Sequence, residues 1–511
     1  MFVRPPCHLW PIVNESDNFL MPLSFPSLSA YLKRELRDIS VKVIDCLPMK
    51  IGYGSLRNIL KDENPDVVCV GDSLPYVEEG VKVLKMAKEI NPKVVTIAGG
   101  HFHSHMPEYS FRNYPQLDFI VRYEGERTLK DLLETLREGG NISKTDSIAY
   151  RKDGMVVETK PGSLIENLDS LPIPGYDIMP IEKYAPFGKL WPKAITIQGS
   201  RGCPMDCEFC SWSALEGEHM LQDGEIILQP KIRIKSVDKV MEELDILYNR
   251  YGIRYLFWVD GTWNYDTEWV DELCSEIIKK GYKLGWWAFL RADHLLEQEK
   301  QGVLEKMVRA GLRHTLFGGE RCSEEEMSLI GKSGLKGMEV LEASHLLKKK
   351  YPTVFRQATF ITGIRTETQK SIEELGQYAL ETDLDFAAFH PLMPWPGTPL
   401  WDKANKEEWI EEDDFSKFDM FNPVMSSEAL SREEISHFTN KLYKDFVGKR
   451  PFKYLKGMFS FIGIRRKLHW WFLFSIGRIL LRDLILSLKG EKTFEGFSSV
   501  NKLWKPKWYD Q

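Results

Sequence analysis

A chain of 511 residues exceeds what one hydrophobic core usually organises, so two or three domains are expected. Its hydrophobic content of 43% is that of an ordinary globular protein, and a net charge of −6 gives no overall reason to expect nucleic acid as a partner. Eight cysteines behind the opening Met1-Phe2-Val3-Arg4-Pro5-Pro6, which has no apolar leader core, argue against a secreted disulfide scaffold and for a reducing, cytoplasmic setting.

Residues 1–140 alternate two patterns. Apolar β-branched runs at 41–44, 67–70, 94–98 and 119–121 are separated by segments long enough for helices, among them 81–90 and 128–138. That rhythm predicts an α/β domain with a doubly wound parallel sheet. Ligands of such sheets sit at the carboxyl ends of the strands, where this chain places Asp45-Cys46, Gly71-Asp72-Ser73 and Gly99-Gly100-His101. Paired glycines let backbone approach a bulky ligand without interference from Cβ. Residues 141–193 follow, with Pro161-Gly162, Leu171-Pro172-Ile173-Pro174-Gly175 and Pro186, punctuation that reads as a linker.

Strand candidates return at 194–198, 255–259, 284–290, 314–317, 358–362 and 385–390, each separated by a helical stretch. Residues 194–400 are therefore expected to form a partial (β/α) barrel, with its site at the strands' C-terminal ends. Those ends carry Asp260, Arg291, Gly318-Gly319-Glu320, Gly363 and His390, residue types that also serve as salt-bridged structure in barrels. Trp286 and Trp287 share one strand candidate, so one ring faces the barrel and the other the helices. The first of these strands leads into Gly202-Cys203-Pro204-Met205-Asp206-Cys207-Glu208-Phe209-Cys210. Cys-x3-Cys-x2-Cys spacing lets three thiolates hold three irons of a [4Fe-4S] cube and leaves the fourth iron open. A structural zinc site would want a fourth Cys or His nearby, and the next cysteine, Cys274, is remote.

This loop, with aromatic Phe209 before the third cysteine, resembles the signature of radical S-adenosylmethionine (SAM) enzymes. The resemblance implies that SAM chelates the open iron through its amino and carboxylate groups. An electron from the cluster then cleaves SAM to a radical able to take hydrogen from unactivated carbon. Gly318-Gly319-Glu320 resembles the SAM-contacting segment after the fourth barrel strand, and residues 360–364 and 392–400 resemble later parts of such barrels. Phe209, Gly318, Gly319, Glu320 and Arg291 are thereby the expected SAM contacts. The first domain resembles the cobalamin-binding domain that precedes many of these barrels, through Arg4-Pro5-Pro6, residues 71–74, Gly99-Gly100-His101 and Tyr123-Glu124-Gly125-Glu126. Ser73, Gly99, Gly100, His101, Glu124, Gly125 and Glu126 are the expected cobalamin contacts. The Asp-x-His-x-x-Gly loop that supplies a lower axial histidine in methionine-synthase-like domains is absent, so the corrin would be histidine-off. His101, His103 and His105 cluster nearby. The subfamily resembled includes the anaerobic magnesium-protoporphyrin cyclase and the hopanoid methylases. It implies methylation of an unactivated carbon, with radical cyclisation or oxidation as the alternative and a redox relay without SAM cleavage as a further one. A flavodoxin or ferredoxin would supply electrons.

Residues 401–511 are expected to be largely helical. Residues 451–511 carry 12 Lys/Arg against 4 Asp/Glu, a local net of +8, while residues 1–450 carry 56 against 70, a net of −14. The uncharged run 468–477 is too short to span a bilayer, which needs about 20 apolar residues. On a helix Lys467, Arg478, Arg482 and Lys489 share one arc, with Leu473, Ile476, Leu480 and Leu484 broadly opposite. That pattern fits a helix lying on an anionic membrane at the cytoplasmic face, or one packed against the protein itself. The membrane reading would favour a lipid or tetrapyrrole-like substrate.

Overall fold

Seven strands form the first sheet of the computed structural model, which describes residues 1–7, 20–71, 74, 76–184, 193–332, 334–488 and 508–511. Strands β1 (Phe2–Arg4), β2 (Val43–Asp45), β3 (Val67–Gly71), β4 (Val95–Gly99) and β5 (Phe119–Val121) are short and rich in Val and Ile. They pair in parallel in the order β2-β1-β3-β4-β5. The strand order reverses at β1, which opens a crevice at the carboxyl ends of β1 and β3, the usual ligand position in such sheets. Helices cover both faces; Val77–Ile90, for example, buries Val77, Val81 and Leu84 at i, i+4 and i+7.

The sheet does not stop at residue 140. Strands β6 (Ile148–Lys152) and β7 (Met155–Glu158) add antiparallel to β5, so the hairpin belongs to the first domain and the connection to the barrel begins after it. Asp153 and Gly154 join the two strands with φ of 52° and 81°, the pair of positive angles that a two-residue hairpin turn demands. The prolines at 161, 172 and 174 still mark irregular chain beyond it.

Six parallel strands in sequence order build the second unit: β8 (Ala194–Ile197), β13 (Tyr255–Trp258), β14 (Gly285–Leu290), β15 (Leu312–Glu320), β16 (Phe355–Thr362) and β17 (Phe386–Pro391). This is the expected partial barrel. Between β8 and β13 lie β9 (Ser200–Cys203) paired with β12 (Lys231–Ile234), and the hairpin of β10 (Glu218–Gln222) and β11 (Glu225–Gln229). β15 is longer than its sequence signal and carries a register shift between Gly318 and Glu320.

Beyond the barrel the helix Arg432–Gly448 opens with a capping box of Ser431 and Glu434 and packs on β17, where the Tyr443 hydroxyl accepts from the Phe389 amide at 2.9 Å. Helix Pro451–Met458 then crosses the long tail helix Gly463–Leu488 closely. A Cβ on Gly457 would lie 2.1 Å from the His469 ring. Arg465 of the tail helix binds Asp385, which also takes a two-pronged contact from Arg356 at 2.9 and 3.0 Å. Residues 508–511 return to the first domain, where the Tyr53 amide donates to the Tyr509 carbonyl at 2.8 Å. Among the described residues no helix is long and apolar enough to cross a membrane.

On the tail helix Lys467 of the basic arc is exposed, and so is an apolar stripe. Trp470, Phe474, Leu481, Leu484, Ile485 and Leu488 are exposed, an apolar stripe on one side, whereas Leu468 is buried and Leu473 half-buried. Leu473 and Leu484, expected together on the arc opposite the basic residues, thus differ in burial. The side chains of Ile476, Arg478, Leu480 and Arg482, and the whole of Lys489, lie outside the described residues.

Candidate active site

The cysteine loop is shaped by contacts on both sides. Gly202 has φ of 79°, and a Cβ there would lie 1.9 Å from the Lys231 carbonyl oxygen, so only glycine fits against β12. Its amide donates to Glu216 at 2.6 Å. Asp260, at the end of β13, accepts from the Gly199 amide at 3.0 Å and the Ser200 hydroxyl at 2.7 Å. It thereby clamps the turn from β8 into the cysteine strand. Burial pushes the Asp260 carboxyl up to about 7.

Cys203 ends β9, with its sulfur 3.4 Å from the Thr262 hydroxyl, and the Cys210 amide donates to the Cys207 carbonyl at 3.1 Å. All three thiols are free of disulfides and line one cavity of about 700 Å³. Burial raises Cys207 to about 11 and Cys210 to about 12, values that a bound metal would reverse by drawing off the protons. Among the described residues no three His, Cys, Asp or Glu side chains gather as a single ion requires. Three unpaired thiols on one cavity wall fit a larger cluster with its ligands at separate corners.

The same cavity collects the expected SAM residues. Phe209, Gly318, Glu320 and Arg291 line it, and Gly319 lies between two of them in β15. A Cβ on Gly319 would meet the Phe360 ring at 2.9 Å, and one on Gly318 would meet Glu320 and Lys332 at 2.5 and 2.6 Å. Glu320 has φ of 39° at the bulge, which turns its carboxylate onto Lys332 at 2.9 Å. Lys332 also donates to the Gly318 carbonyl at 2.8 Å. Nothing in the strand rhythm singled out this buried lysine, because its partner is brought near only by the bulge. Arg291 is held by Asp293 through bonds of 3.1 and 2.7 Å. Phe209 packs on the apolar group of Ile361, Ile364, Leu392 and Met393. His390 lines the cavity and bonds the Met420 carbonyl at 3.1 Å, and Gly363, at the end of β16, has φ of 73°.

The expected cobalamin residues stand where the first domain meets the barrel. Gly99 ends β4, and Gly100, with φ of 100°, precedes the short helix His101–His105. His101 is edge-on to Trp395 with ring centroids 6.4 Å apart. Its buried ring nitrogens make no hydrogen bond of ordinary geometry, although the Pro396 backbone is near, and burial lowers its pKa to about 4. His103 points instead into the domain, bonded to Ser110 at 2.9 Å. His105 meets the Ala214 carbonyl at 2.9 Å and packs so closely on Gly397 that a Cβ there would lie 2.1 Å from its ring. His219 of β10, which the sequence did not single out, stacks on Tyr123 at 3.7 Å. Ser73 lies outside the described residues.

Glu124 and Glu126 flank Gly125 at the start of helix Gly125–Glu138, and both carboxylates are taken by arginines. Arg201, inside the cysteine strand, reaches Glu124 at 2.9 Å and Glu126 at 2.5 Å, and Arg233 of β12 adds a contact to Glu124 at 2.7 Å. Burial alone would raise Glu124, but Arg201 and Arg233 hold its carboxyl below the ordinary carboxylate range. The turn is thus a clasp between the domains, locking the cysteine strand to the first domain.

A doubly wound domain clasped to a six-stranded partial barrel, with three unpaired cysteines on the barrel's cavity, defines a radical SAM enzyme with an accessory ligand domain. The sequence pattern of the radical SAM superfamily matches residues 197–379, and that of the B12 binding domain matches residues 9–133. An uncharacterized methyltransferase of Pyrococcus horikoshii is 31% identical over 446 residues, covering 86% of this chain and 91% of the relative. The anaerobic magnesium-protoporphyrin IX monomethyl ester cyclase of Rubrivivax gelatinosus is 27% identical over 84% of this chain and 74% of its own. Among solved structures, the radical SAM methyltransferase TsrM from Kitasatospora setae, with cobalamin and a [4Fe-4S] cluster bound, gives a TM-score of 0.67 at 14% identity. It covers 93% of this chain and 98% of that one, a likeness of fold alone. The chain belongs to the radical SAM superfamily, in the branch whose barrel follows a B12 binding domain. Its cofactors are a [4Fe-4S] cluster, SAM and cobalamin.

Proposed function

We propose that this enzyme transfers a methyl group from SAM to an unactivated carbon of an apolar substrate. The observation that carries the reading is one apolar cavity. It is lined by the three cysteines, Gly318, Glu320 and Arg291, and it reaches Leu20 of the first domain and Trp395 beside His101. When bound, the cluster supplies the electron that cleaves SAM, SAM supplies radical and methyl group, and cobalamin carries the methyl. Cys203, Cys207 and Cys210 hold the cluster. Phe209 braces the loop, the Gly318-Gly319 backbone gives SAM close approach, and Glu320 and Arg291, each fixed by an opposite charge, address its polar groups. Gly99 and Gly100 would frame the corrin with His101. The turn of Glu124, Gly125 and Glu126, locked by Arg201, would hold the corrin's domain against the cysteine strand. Apolar walls such as Phe289, Leu290 and Trp212 exclude water, which protects a radical from quenching.

The reductant is a flavodoxin or ferredoxin, and the enzyme works in the cytoplasm with its tail on the inner face of the membrane. Exposed Phe452, Phe459, Phe461, Trp470 and Phe474, with exposed Lys456, Arg466 and Lys467 among them, support that placement. Methylation is separated from cyclisation or oxidation by its by-products. Reduced, reconstituted enzyme given SAM and cobalamin should form both 5′-deoxyadenosine and S-adenosylhomocysteine, the second only when cobalamin is present. Deoxyadenosine alone would replace methyl transfer by the radical chemistry of the cyclase relatives.

A further inference from the structure

The barrel interior is hollow along β15, β16 and β17, while Ala194, Tyr255, Phe257 and Trp287 pack together on the side of β8, β13 and β14. In a closed (β/α) barrel, inward side chains fill that space in layers. Here the inward residues of β16, Phe355, Gln357, Thr359 and Ile361, all line the cavity from the first residue of the strand to its seventh. His314, Leu316, Gly318 and Glu320 do so on β15, and Phe386, Ala388 and His390 on β17. Gln357 and Thr359 are half-buried, whereas their outward neighbours Ala358 and Phe360 are wholly buried. At the strand rise of about 3.3 Å per residue, the stretch from Phe355 to Ile361 is about 20 Å long.

The two ends of this channel differ in chemistry. Thiols, Arg291 and the Glu320–Lys332 pair occupy the cluster end. The opposite end is walled by Phe355, Phe386, Phe446, Val447, Leu468 and Trp471. Its polar lining is a neutral pair, His314 and Gln357, bonded at 2.8 Å, with His314 lowered to about 4 by burial. The cations nearby, Arg356, Lys453 and Arg465, are bound to Asp383 and Asp385, and none of them lines the channel. A macrocycle bearing carboxylates would need cations in this wall. A hydrocarbon chain needs none.

Leu468 and Trp471 belong to the tail helix, whose other side is the exposed stripe of Trp470, Phe474 and Leu481. One helix therefore closes the far end of the channel and offers an apolar face to its surroundings, pinned in place by Arg465 on Asp385. We propose that the substrate is an elongated hydrocarbon chain of acyl or isoprenoid type. It is drawn from the membrane past the tail helix and threaded lengthwise through the barrel, so that the carbon to be modified reaches the cluster end. This rests on the methyltransfer reading for what happens there and adds the substrate class and its route.

The test uses reconstituted enzyme and a palmitic acid analogue with a terminal diazirine. After irradiation, label is expected on peptides of β16, β17 and helix Arg432–Gly448, displaced by unlabelled palmitate. Ala388→Trp, which fills the middle of the channel, is expected to cut that interior labelling by about tenfold, or 1.4 kcal/mol of binding. Label confined to the outer faces of residues 451–488, or interior label that palmitate does not displace or Ala388→Trp does not reduce, would overturn the proposal. Should Ala388→Trp fail to fold, the wild-type peptide map and competition decide. Deoxyadenosine formation by the same preparation separates the two readings. SAM cleavage without interior label defeats the channel alone, and interior label without SAM cleavage defeats the enzymatic reading alone.

Discussion

Replacing Arg201 by Met removes the one side chain that ties the cysteine strand to both Glu124 and Glu126. The three groups are 14%, 11% and 5% exposed, so the cluster is largely shut off from water. Glu124 keeps Arg233, but among the described residues Glu126 has no second cation and is left as an unpaired buried charge. Breaking a buried pair from one side costs about 3–5 kcal/mol, and the surviving Arg233 contact puts this case near 3. For a domain of this size that lowers the unfolding temperature by about 6–12 °C. Adding Glu126→Leu should recover most of the loss, because the stranded charge is gone. The sign of the pH effect follows from Glu124. Its folded pKa lies below the unfolded value of about 4.3. The clasp therefore stabilises the protein above the unfolded value and is lost as pH falls through the folded one, so wild type and Arg201→Met converge in acid. Differential scanning fluorimetry of the apo-protein reads both effects. A loss of under about 1 kcal/mol, the worth of a surface pair, would refute the clasp.

Gly202→Ala is expected to stop cluster assembly, since the new Cβ would lie 1.9 Å from the Lys231 carbonyl, and iron content after reconstitution checks it. Gly99→Leu puts a bulky side chain at the end of β4 and should lower the cobalt retained after desalting; full cobalt would remove that loop from the corrin site. Deleting residues 465–489 should release the protein from anionic liposomes in a sedimentation assay, and unchanged sedimentation would show that the tail does not hold it there.

Much of this was legible in the sequence because strands buried on both faces write their positions as short runs of Val, Ile and Ala. The positions of β2 to β5 and of the six barrel strands followed from such runs, whereas β1, only Phe2–Arg4, wrote no run of its own. The hairpin of β6 and β7 was missed because its second strand is mostly exposed, and the Asp153-Gly154 turn was passed over in favour of later prolines. The cysteine loop was readable because its chemistry depends on local spacing. The clasp and the Glu320–Lys332 pair were not, since they join residues 75 and 12 positions apart through the fold. A glutamate flanking a strand end looks the same in sequence whether it faces a ligand or an arginine. The tail's exposed apolar stripe escaped because the burial of Leu468 and His469, with His469 against Phe355 of the barrel, sets which side faces out, and that contact joins distant parts of the chain.

The most direct test of the central claim is the pair of wild type and Cys207→Ala, reconstituted anaerobically with iron, sulfide and hydroxocobalamin, reduced, and given SAM. The account predicts that wild type shows cluster absorbance and an EPR signal altered by SAM, and that it releases 5′-deoxyadenosine. Cys207→Ala should lose all three. A variant that keeps normal iron and still cleaves SAM, or a wild type that holds its cluster and makes no deoxyadenosine, would contradict it.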